Sequence, residues 1–536
     1  MSHQHEGAPF ATEDLPAEVK ARLCAHPVAR WDEIGPDVAA LGIAKLRLAG
    51  VYDDRQPGHF MVRVRIPGGS LNAAQARVLA GVASTFSHRP ARAPGEPTAL
   101  WDEAPECFVE ITTRQDVQLH WIAAADLPRV WEDLDAAGLT TIAACGDTLR
   151  NVTTCPRAGV ASEELIDPRP AVDAVGALAI DEPRLAARLP RKFKVAVTGC
   201  PTDCVGARLH DLAFTPARRD GIVGFNVFAG GGLSDSPRLA SPLGMFVTSE
   251  GVAPLVRAAL TLYSDRGDRE HKAVNRFRVL VHEMGPATVA EELRSLLSPE
   301  PPEAGEDLST WRACDHIGVH PERGGTSSVG LCVPLGRLTA DDLDELTLLA
   351  RRHGDGGIRL TQRQNLILTG VADPGVLLQE PLTRRLRADP DPFERAVIAC
   401  TSAPFCKYAL LNAKAFGADL IDRLRDSVAP DRWGALQGLR IHISGCKASC
   451  ALTQAAHIGL RGAPALTGDG YRDAVDVCAG GDLGRGRLAA WAAPEVTPDA
   501  ALPVLAELLE EAAAYGLDAI TPAAVTALLQ GHGHAG

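Results

Sequence analysis

Four cysteines in the last third of the chain stand in two close pairs. ACTSAPFC supplies Cys400 and Cys406, and GCKASC supplies Cys446 and Cys450. Two tight pairs of thiolates are the ligand set of an iron–sulfur cluster or of a structural zinc ion. Zinc knuckles usually have two to four residues between paired cysteines, and the x5 and x3 spacings here favour an iron–sulfur cluster. Four unrelated buried cysteines are the third interpretation.

A helix is predicted directly after the first cysteine pair. The run KYALLNAKAFGADLIDRL, at 407–424, has a helical pattern of apolar residues. A helix beginning there would direct its N-terminal dipole at Cys400 and Cys406 and help to hold thiolate charge. The apolar run LRIHIS predicts a strand that leads into Cys446.

Three patterns occur twice along the chain, in the same order. FMVRVRIPGG (60–69) and SVGLCVPLG (328–336) are each a strand and a glycine turn followed by a helical run. TTRQDVQLHW (112–121) and TQRQNLILTG (361–370) share Thr-x-Arg-Gln, and KFKVAVTGCPTDC and LRIHISGCKASC both end in Gly-Cys-x3-Cys. Reuse of strand–turn–helix units would not repeat these side chains, so we predict an internal duplication.

The duplication predicts a mixed α+β and α/β fold whose two halves are related by a pseudo-twofold axis. Each half would contain a small strand–helix–strand module followed by a larger α/β module, joined by the Pro- and Glu-rich SPEPPEAGED. The predicted segments are an N-terminal arm at 1–45, small modules at 46–130 and 308–395, larger modules at 131–300 and 396–515, and a C-terminal tail at 516–536.

The first half carries a partial version of the cysteine pattern. It keeps Cys200 and Cys204, but Cys145 and Cys155 have the wrong spacing for a first pair. We interpret Cys200 and Cys204 as remnants of the duplication and as core thiols rather than ligands. The other cysteines stand alone in sequence, and each is assigned to the core: Cys24, Cys107, Cys314, Cys332 and Cys478.

Composition places the chain among globular proteins of several domains. It has 536 residues, of which 46% are hydrophobic and 23% charged. The net charge of −13 argues against a non-specific nucleic-acid binder. The sequence shows neither an apolar run long enough for a membrane span nor a secretory signal, so we expect a cytoplasmic protein. In that reducing environment thirteen cysteines do not form a disulfide framework.

Taken together, these motifs resemble the siroheme-dependent nitrite and sulfite reductase family over residues 46–510. Cys-x5-Cys followed by Cys-x3-Cys, after a duplicated first half, is specific to that family. The resemblance implies ferredoxin-like folds for the two small half-modules and a [4Fe–4S] cluster on the four cysteines. It also implies siroheme, with Cys450 bridging the cluster to the siroheme iron as its axial ligand.

The resemblance also implies an anion site. Four basic residues match the family positions that hold the substrate anion over the open face of the siroheme: Arg63, Arg150, Lys192 and Lys194. Convergent positive charge is needed to bind an anion on an electron-rich iron. Lysines that are desolvated among other cations have a lowered pKa and can donate protons to the departing oxygens.

One strand of the first half matches the family's siroheme-contacting strand. Its residues are Arg114, Gln118 and His120, and a strand would place all three on one face. An ordinary polar face of a half-buried strand is the alternative. Arg363 of the second copy is a weaker match.

Two features concern the immediate surroundings of the cofactors. The second pair reads Cys-Lys-Ala-Ser-Cys where the family usually has Cys-Pro-Asn-x-Cys. The family's redox potential and substrate choice therefore do not transfer directly to a chain with Lys447 and Ala448. Tyr52 and Cys145 match a pair that some members link covalently, and an unlinked tyrosine and core cysteine are the equal alternative.

The implied reaction is the six-electron reduction of nitrite to ammonia or of sulfite to sulfide. FAGGGL (228–233) lacks the G-x-G-x-x-G spacing of a dinucleotide site, so an external electron donor is expected. The resemblance implies ferredoxin as this donor, as in stand-alone family members of this size, and we expect a monomer. Lys194 inclines slightly to sulfite. The alternatives are a precorrin-3B synthase-like oxygenase, which would not need all four cations, and a non-catalytic iron–sulfur or zinc protein.

Overall fold

The strands of the protein form four sheets, in two small and two larger modules. The computed structural model describes residues 16–25, 45–91, 104–187, 189–271, 274–312, 314–467 and 470–532. Within these residues the sheets contain five, six, five and five strands, and one strand of the six-stranded sheet lies off its main path. The described helices include none that is long and apolar enough to span a bilayer.

The first half begins with a helix and a small sheet. Its elements are α1 Pro16–Ala25, β1 Val51–Asp53, β2 His59–Val64, β3 Ser70–Asn72, α2 Ala73–Phe86, β4 Phe108–Ile111, β5 Val117–Ala123 and α3 Leu127–Ala136. The larger module follows. Its elements are β6 Leu149–Thr153, α4 Arg169–Asp181, α5 Pro183–Ala186, β7 Phe193–Val197, β8 Leu212–Arg219, β9 Ile222–Ala229, β10 Ser241–Val247, α6 Ser249–Arg266, α7 Phe277–Met284, α8 Pro286–Ser295 and β11 Glu306–Asp307.

The second half repeats this arrangement. Its small module contains β12 Gly318–Pro321, β13 Ser327–Leu331, β14 Arg337–Thr339, α9 Ala340–His353, β15 Gly357–Leu360, β16 Leu366–Val371, α10 Pro374–Leu377 and α11 Pro381–Arg385. Its larger module contains α12 Pro392–Ala396, β17 Val397–Ala399, α13 Ala413–Ser427, β18 Ile441–Ser444, β19 Ile458–Thr467, β20 Gly470–Ala479, β21 Ala490–Val496, α14 Pro498–Tyr515 and α15 Pro522–Gly531.

The two larger sheets have the same topology. In the first, β6, β7 and β8 are parallel, and β9 and β10 continue antiparallel. In the second, β17, β18 and β19 are parallel, and β20 and β21 continue antiparallel. A shared order of parallel and antiparallel neighbours confirms the duplication predicted from the repeated motifs.

The two small modules exchange a strand. β14 of the second half pairs with β4 at the edge of the first sheet, and β3 of the first half pairs with β15 of the second. Helices α2 and α9 pack together, and apolar residues of both modules form one continuous core. The ranges 46–130 and 308–395 therefore enclose interlocked modules, each of which supplies one strand to the other's sheet.

The repeated Thr-x-Arg-Gln motif holds this exchange together. The Gln115 side-chain amide donates to the carbonyl of Leu360 at 2.8 Å, and the Gln364 amide donates to the carbonyl of Ile111 at 3.0 Å. Both glutamines have a positive φ, of 59° and 62°. Gly336 approaches Gln364 so closely that a Cβ on it would lie 2.7 Å from the Gln364 Cβ. The motif therefore recurs because each copy braces the other.

Both predicted terminal segments need correction. Within the arm, α1 packs Val19 into the small-module core; the rest of 1–44 lies outside the described residues. The predicted tail at 516–536 is wrong over most of its length, because α15 packs Val525 and Leu529 into the core of the second larger module. The last residues of GHGHAG lie outside the described residues.

Candidate active site and cluster site

The four second-copy cysteines lie at the carboxyl ends of two neighbouring parallel strands. Cys400 follows β17 directly, and Cys446 follows β18 by two residues. Because Ala399 of β17 pairs with Ile443 of β18, the two cysteine segments leave the sheet side by side. Cys400, Cys406 and Cys446 are partly buried, whereas Cys450 is exposed. The sheet therefore brings the two predicted pairs together and leaves one sulfur open.

Backbone amides point at these sulfurs. The Gly445 amide donates to Cys400 Sγ at 3.2 Å. Cys406 accepts from the amides of Tyr408 and Ala409, and Cys446 from that of Ala448. Burial raises the pKa of Cys406 to about 11, and it also raises the pKa of Cys400. Thiols that burial keeps protonated, beside amides that favour a negative sulfur, fit a metal cluster that supplies the positive charge.

The helix after Cys406 begins later than predicted. It starts at Ala413, capped by the Asn412 side chain, and not at residue 407. The intervening residues form turns because the Leu410 amide donates to the carbonyl of Gly445 at 2.7 Å. The predicted dipole contact with the first pair is therefore wrong, and the amides of the turn take its place.

The four predicted anion-binding cations come from three elements that meet beside Cys450. Arg63 lies on β2, Arg150 on β6, and Lys192 and Lys194 at the start of β7. The Cys450 thiol is close enough to act electrostatically on both Arg63 and Lys192. Burial, followed by Arg276, lowers the pKa of Lys192 to about 7. Burial and Arg114 hold the pKa of Lys194 well below its usual range.

Arg276 belongs to this cationic group and was missed by the sequence analysis. Its guanidinium lies 3.2 Å from both carboxylate oxygens of the buried Asp211. Burial and the repulsion of Arg276 and Arg114 act on the two lysines together. Arg276 precedes α7 in a stretch with no repeat or spacing signal, so the fold alone brings it here.

Gln118 lies on β5 and contacts Arg63, but Arg114 is not on the strand. The Arg63 guanidinium donates to Gln118 Oε1 at 3.0 Å. β5 begins at Val117, and Arg114 stands in the preceding turn, where its guanidinium donates to the carbonyl of Asn151. The expectation that Arg114 shares a strand face with Gln118 is therefore wrong. Arg363 makes the matching bond in the second copy, to the carbonyl of Ala396 at 3.1 Å.

His120 shares a face with Gln118, as the strand periodicity predicts, but it is enclosed. The two side chains meet at 3.2 Å. The His120 ring is 1% exposed, lies between the carboxylates of Asp54 and Glu110, and stacks against Phe405 at 4.0 Å. Burial opposes protonation, but Asp54 outweighs it and the pKa of His120 is raised. His120 therefore supports Gln118 from behind.

A hydrogen-bonded chain joins the cationic group to the cluster segment. Gln118 donates to Thr401 Oγ1 at 2.9 Å, and Thr401 donates to Glu110 at 2.7 Å. Thr401 follows the ligand candidate Cys400 directly. The Thr113 hydroxyl also donates to the carbonyl of Cys450 at 2.8 Å. The first half thus forms hydrogen bonds with both cysteine segments of the second half.

Tyr52 and Cys145 lie on the same side of Arg63. The Arg63 guanidinium is 3.5 Å from Cys145 Sγ and 5.9 Å from the centre of the Tyr52 ring. The Tyr52 hydroxyl accepts from the Gly146 amide at 3.2 Å. Both members of the predicted pair therefore lie near Arg63.

The site has the character of a receptor for a polycarboxylate. The Nε atoms of Arg63, Arg114 and Arg276 are buried without a hydrogen-bond partner. Asp116 and Asp211 are the buried carboxylates that act on this cationic group. Buried guanidinium donors in excess over carboxylates suit a cofactor that carries several carboxylates, as siroheme does, and the residues present fit that group.

A duplicated chain with a four-thiol cluster site beside an anion-binding pocket is the architecture of an iron–sulfur oxidoreductase that acts on a small anion. The model of the nitrite and sulphite reductase 4Fe-4S domain matches residues 145–300, and the model of the nitrite/sulfite reductase ferredoxin-like half domain matches 52–93, 98–137 and 320–376. The chain belongs to the nitrite and sulphite reductase family, and it is an iron–sulfur enzyme.

Relatives of known identity extend over nearly the whole chain. The assimilatory ferredoxin-dependent nitrite reductase of Haloferax mediterranei is 37% identical over 93% of this chain and 87% of its own. The ferredoxin–nitrite reductase of Synechococcus elongatus is 36% identical over 80% and 81%. The solved structure of the NirA protein of Mycobacterium tuberculosis superposes with a TM-score of 0.83, at 27% identity over 93% and 92%.

Proposed function

We propose that this chain is a ferredoxin-dependent assimilatory nitrite reductase that takes nitrite to ammonia with siroheme and a [4Fe–4S] cluster. The observation that carries the proposal is the exposed sulfur of Cys450 beside Arg63 and Lys192. One sulfur of a cluster site then faces a cationic pocket, which is the arrangement needed to pass electrons to an anion.

Cys400, Cys406, Cys446 and Cys450 would hold the cluster, and Cys450 would also help to hold the siroheme. When bound, siroheme supplies the iron on which the anion is reduced, one electron at a time. Arg114 and Arg276 would hold its carboxylates, because their buried Nε atoms lack partners in the protein. Gln118 fixes Arg63 against the cluster segment through Thr401. We propose that His120 positions Gln118 and does not itself contact the cofactor.

The remaining cations would bind the anion and supply protons. Arg63 and Arg150 keep their charge at any physiological pH, so they hold the anion. Lys192, with a pKa of about 7, exchanges a proton readily near neutral pH, which suits a general acid. Burial, followed by repulsion from Arg114 and Lys192, holds the pKa of Lys194 well below its usual range, and Lys194 would gain a proton when the anion enters.

Nitrite is favoured as the substrate over sulfite. Lys194 alone inclines slightly to sulfite, but the names of the similar relatives are those of nitrite reductases. The complete set of cations also favours this activity over a precorrin-3B synthase-like oxygenase or a non-catalytic iron–sulfur or zinc protein. Ferredoxin would be the donor, as the names of the relatives state for them. We expect a cytoplasmic monomer that binds neither nucleic acid nor membrane.

Steady-state turnover tests the substrate. Purified protein with reduced viologen as donor should give a higher kcat/KM for nitrite than for sulfite, with ammonium as the product. A higher kcat/KM for sulfite would overturn the choice of nitrite. Absence of turnover with both anions, in protein that carries its full iron, would overturn the proposed function.

The Tyr52–Cys145 link is part of the proposal, because both side chains sit at Arg63. Mass spectrometry of the proteolysed protein should show one cross-linked peptide pair that is lighter by two hydrogens than the separate peptides. Two unmodified peptides would exclude the link.

A further inference from the structure

The first larger module repeats the cluster site more fully than its sequence indicates. Val152 pairs with Val195 in the first half, as Val397 pairs with Ile441 in the second. Counting along the chain from these pairs places Cys155 at the position of Cys400. Cys155 alone therefore takes a first-pair position, in keeping with the mismatched spacing of Cys145 and Cys155.

The same register places the other two cysteines. Cys200 and Cys204 follow β7 at the positions that Cys446 and Cys450 hold after β18. The position of Cys406 corresponds to Ala161, which is buried. Three of the four second-copy ligand positions are thus cysteines in the first copy as well.

A histidine from the segment between the halves completes this group. His316 Nε2 lies 3.6 Å from Cys155 Sγ. The ligand atoms of Cys155, Cys204 and His316 all lie within 4.8 Å of one another, and all three residues are buried. Cys200 is also buried, and its thiol is within hydrogen-bonding contact of Cys155. Two sulfurs and one imidazole nitrogen therefore form a compact group, and the Cys200 thiol lies beside this group, against Cys155.

We propose that Cys155, Cys200, Cys204 and His316 bind one zinc ion, at a site separate from the cluster and the anion pocket. Cys3His is a closed tetrahedral set of the kind that structural zinc uses. With Zn–S bonds of about 2.3 Å, sulfurs at tetrahedral corners stand about 3.8 Å apart, which suits the compact group.

The compactness separates this site from that of the cubane cluster. A [4Fe–4S] cluster binds each thiolate through a different iron, so its ligand sulfurs stand further apart than those around a single ion. Among the residues that the structure describes, no three of the second-copy cysteines bring their ligand atoms within 4.8 Å of one another. In the first copy, Cys155 and Cys204 lie within such a distance of each other and of His316.

The surroundings prepare the imidazole for a metal. The His316 ring is buried, and its Nε2 lies against Cys155 Sγ, where it can serve as a ligand. Its other nitrogen, Nδ1, lies 3.4 Å from Cys314 Sγ, which can accept a hydrogen bond and fix the tautomer.

The ion would fasten the segment between the halves to the first larger module. Cys155 follows β6, and Cys200 and Cys204 follow β7, whereas His316 leads into β12 of the second half. The same two segments already meet through the Asp203 amide, which donates to the carbonyl of Arg312 at 2.9 Å. The expected role is structural, and the proposal does not depend on the substrate.

Metal analysis of the purified holoprotein tests the site. We expect one zinc per chain by mass spectrometry, and a zinc K-edge absorption spectrum that fits three sulfurs at about 2.3 Å and one nitrogen at about 2.0–2.1 Å. Zinc well below one per chain, zinc with oxygen-rich coordination, or iron in excess of siroheme and one cluster would each overturn the proposal.

Variants provide the second arm of the test. Cys155→Ser and His316→Ala should lose the zinc and lower the Tm by several degrees, and His316→Cys should retain it as a four-thiolate site. Cys332→Ser changes a buried thiol that contacts the carbonyl of Glu394 and should keep the zinc. Siroheme and cluster absorption, measured on the same samples, reports the proposed function separately. Full zinc in His316→Ala would contradict the ligand assignment.

Discussion

Glu110 is the buried charge on which the contact between the two halves depends, and Glu110→Gln is the sharpest test of that contact. Its carboxylate accepts from Arg337 Nε of the exchanged strand at 2.8 Å and from Thr401 at 2.7 Å. Lys414 Nζ lies 3.8 Å away. The side chains of Glu110 and Lys414 are each 2% exposed, and that of Arg337 is 13% exposed. When Glu110→Gln removes the negative charge, water therefore cannot solvate the positive charges of Lys414 and Arg337 in its place.

The expected loss of stability is about 3 kcal/mol. Removing one partner of a buried ion pair costs about 3–5 kcal/mol because the other charge is left uncompensated. Glutamine keeps a hydrogen-bond acceptor, which places this variant at the lower end. Lys414 should respond by losing its proton, because burial already lowers its pKa to about 8 and Glu110 is the main group that opposes this.

Urea unfolding, followed by fluorescence of the buried Trp121 and Trp131, measures the effect. Asp344→Asn is the matched control, since the Asp344–Arg77 pair also joins the halves, at 2.9 Å, but is about half exposed. It should leave the stability almost unchanged, because solvent screens an exposed ion pair. Equal shifts in the unfolding midpoints of Glu110→Gln and Asp344→Asn would refute the reasoning.

The same network sets an acid limit. Burial would raise the pKa of Glu110, but Lys414 and Arg337 together hold it well below its usual range. A lowered folded-state pKa gives stability that is present above the unfolded value of about 4.3 and is lost as pH falls through the folded value. Glu110→Gln should therefore flatten the acid side of the stability profile. An unchanged profile would show that other carboxylates control acid unfolding.

Three further outcomes follow from the site and the fold. Cys406→Ser should lose the cluster absorption, whereas Cys478→Ser, at a buried thiol, should keep it. Lys192→Met should lower kcat/KM for nitrite by about 10-fold or more, since one charge-assisted hydrogen bond is worth about 1.5–3 kcal/mol, and should leave the absorption spectrum intact. Gly336→Ala should unfold at a lower urea concentration than Gly438→Ala, because its free energy of unfolding should be smaller by about 1–3 kcal/mol. Both glycines have a positive φ, but of the two only Gly336 has an atom within 4 Å of the added Cβ. Equal midpoints would contradict the close approach at Gly336.

Repeated side chains predicted the duplication because they carry contacts that each copy needs. Gln115 and Gln364 recur since both brace the opposite half, and Cys446 and Cys450 follow a strand that recurs in both copies. The strand exchange could not be predicted in this way. β3 and β14 have three residues each, and their partners are chosen by tertiary packing rather than by their own pattern.

The errors at the site have a common physical origin in long-range contacts. Arg276 and His316 reach their places from distant segments, which local spacing does not show. The helix after Cys406 is delayed because the Leu410 amide pairs with Gly445, although its own sequence favours a helix. Helical propensity is a weak prior, and a tertiary hydrogen bond outweighs it here.

The visible absorption spectrum of the purified protein tests the central claim most directly, namely that the cationic pocket beside Cys450 holds siroheme next to the cluster. The account predicts a Soret band and a red band above the broad absorption of the cluster, both of which should shift when nitrite is added. A spectrum with cluster absorption alone, in protein with full iron–sulfur content, would contradict it.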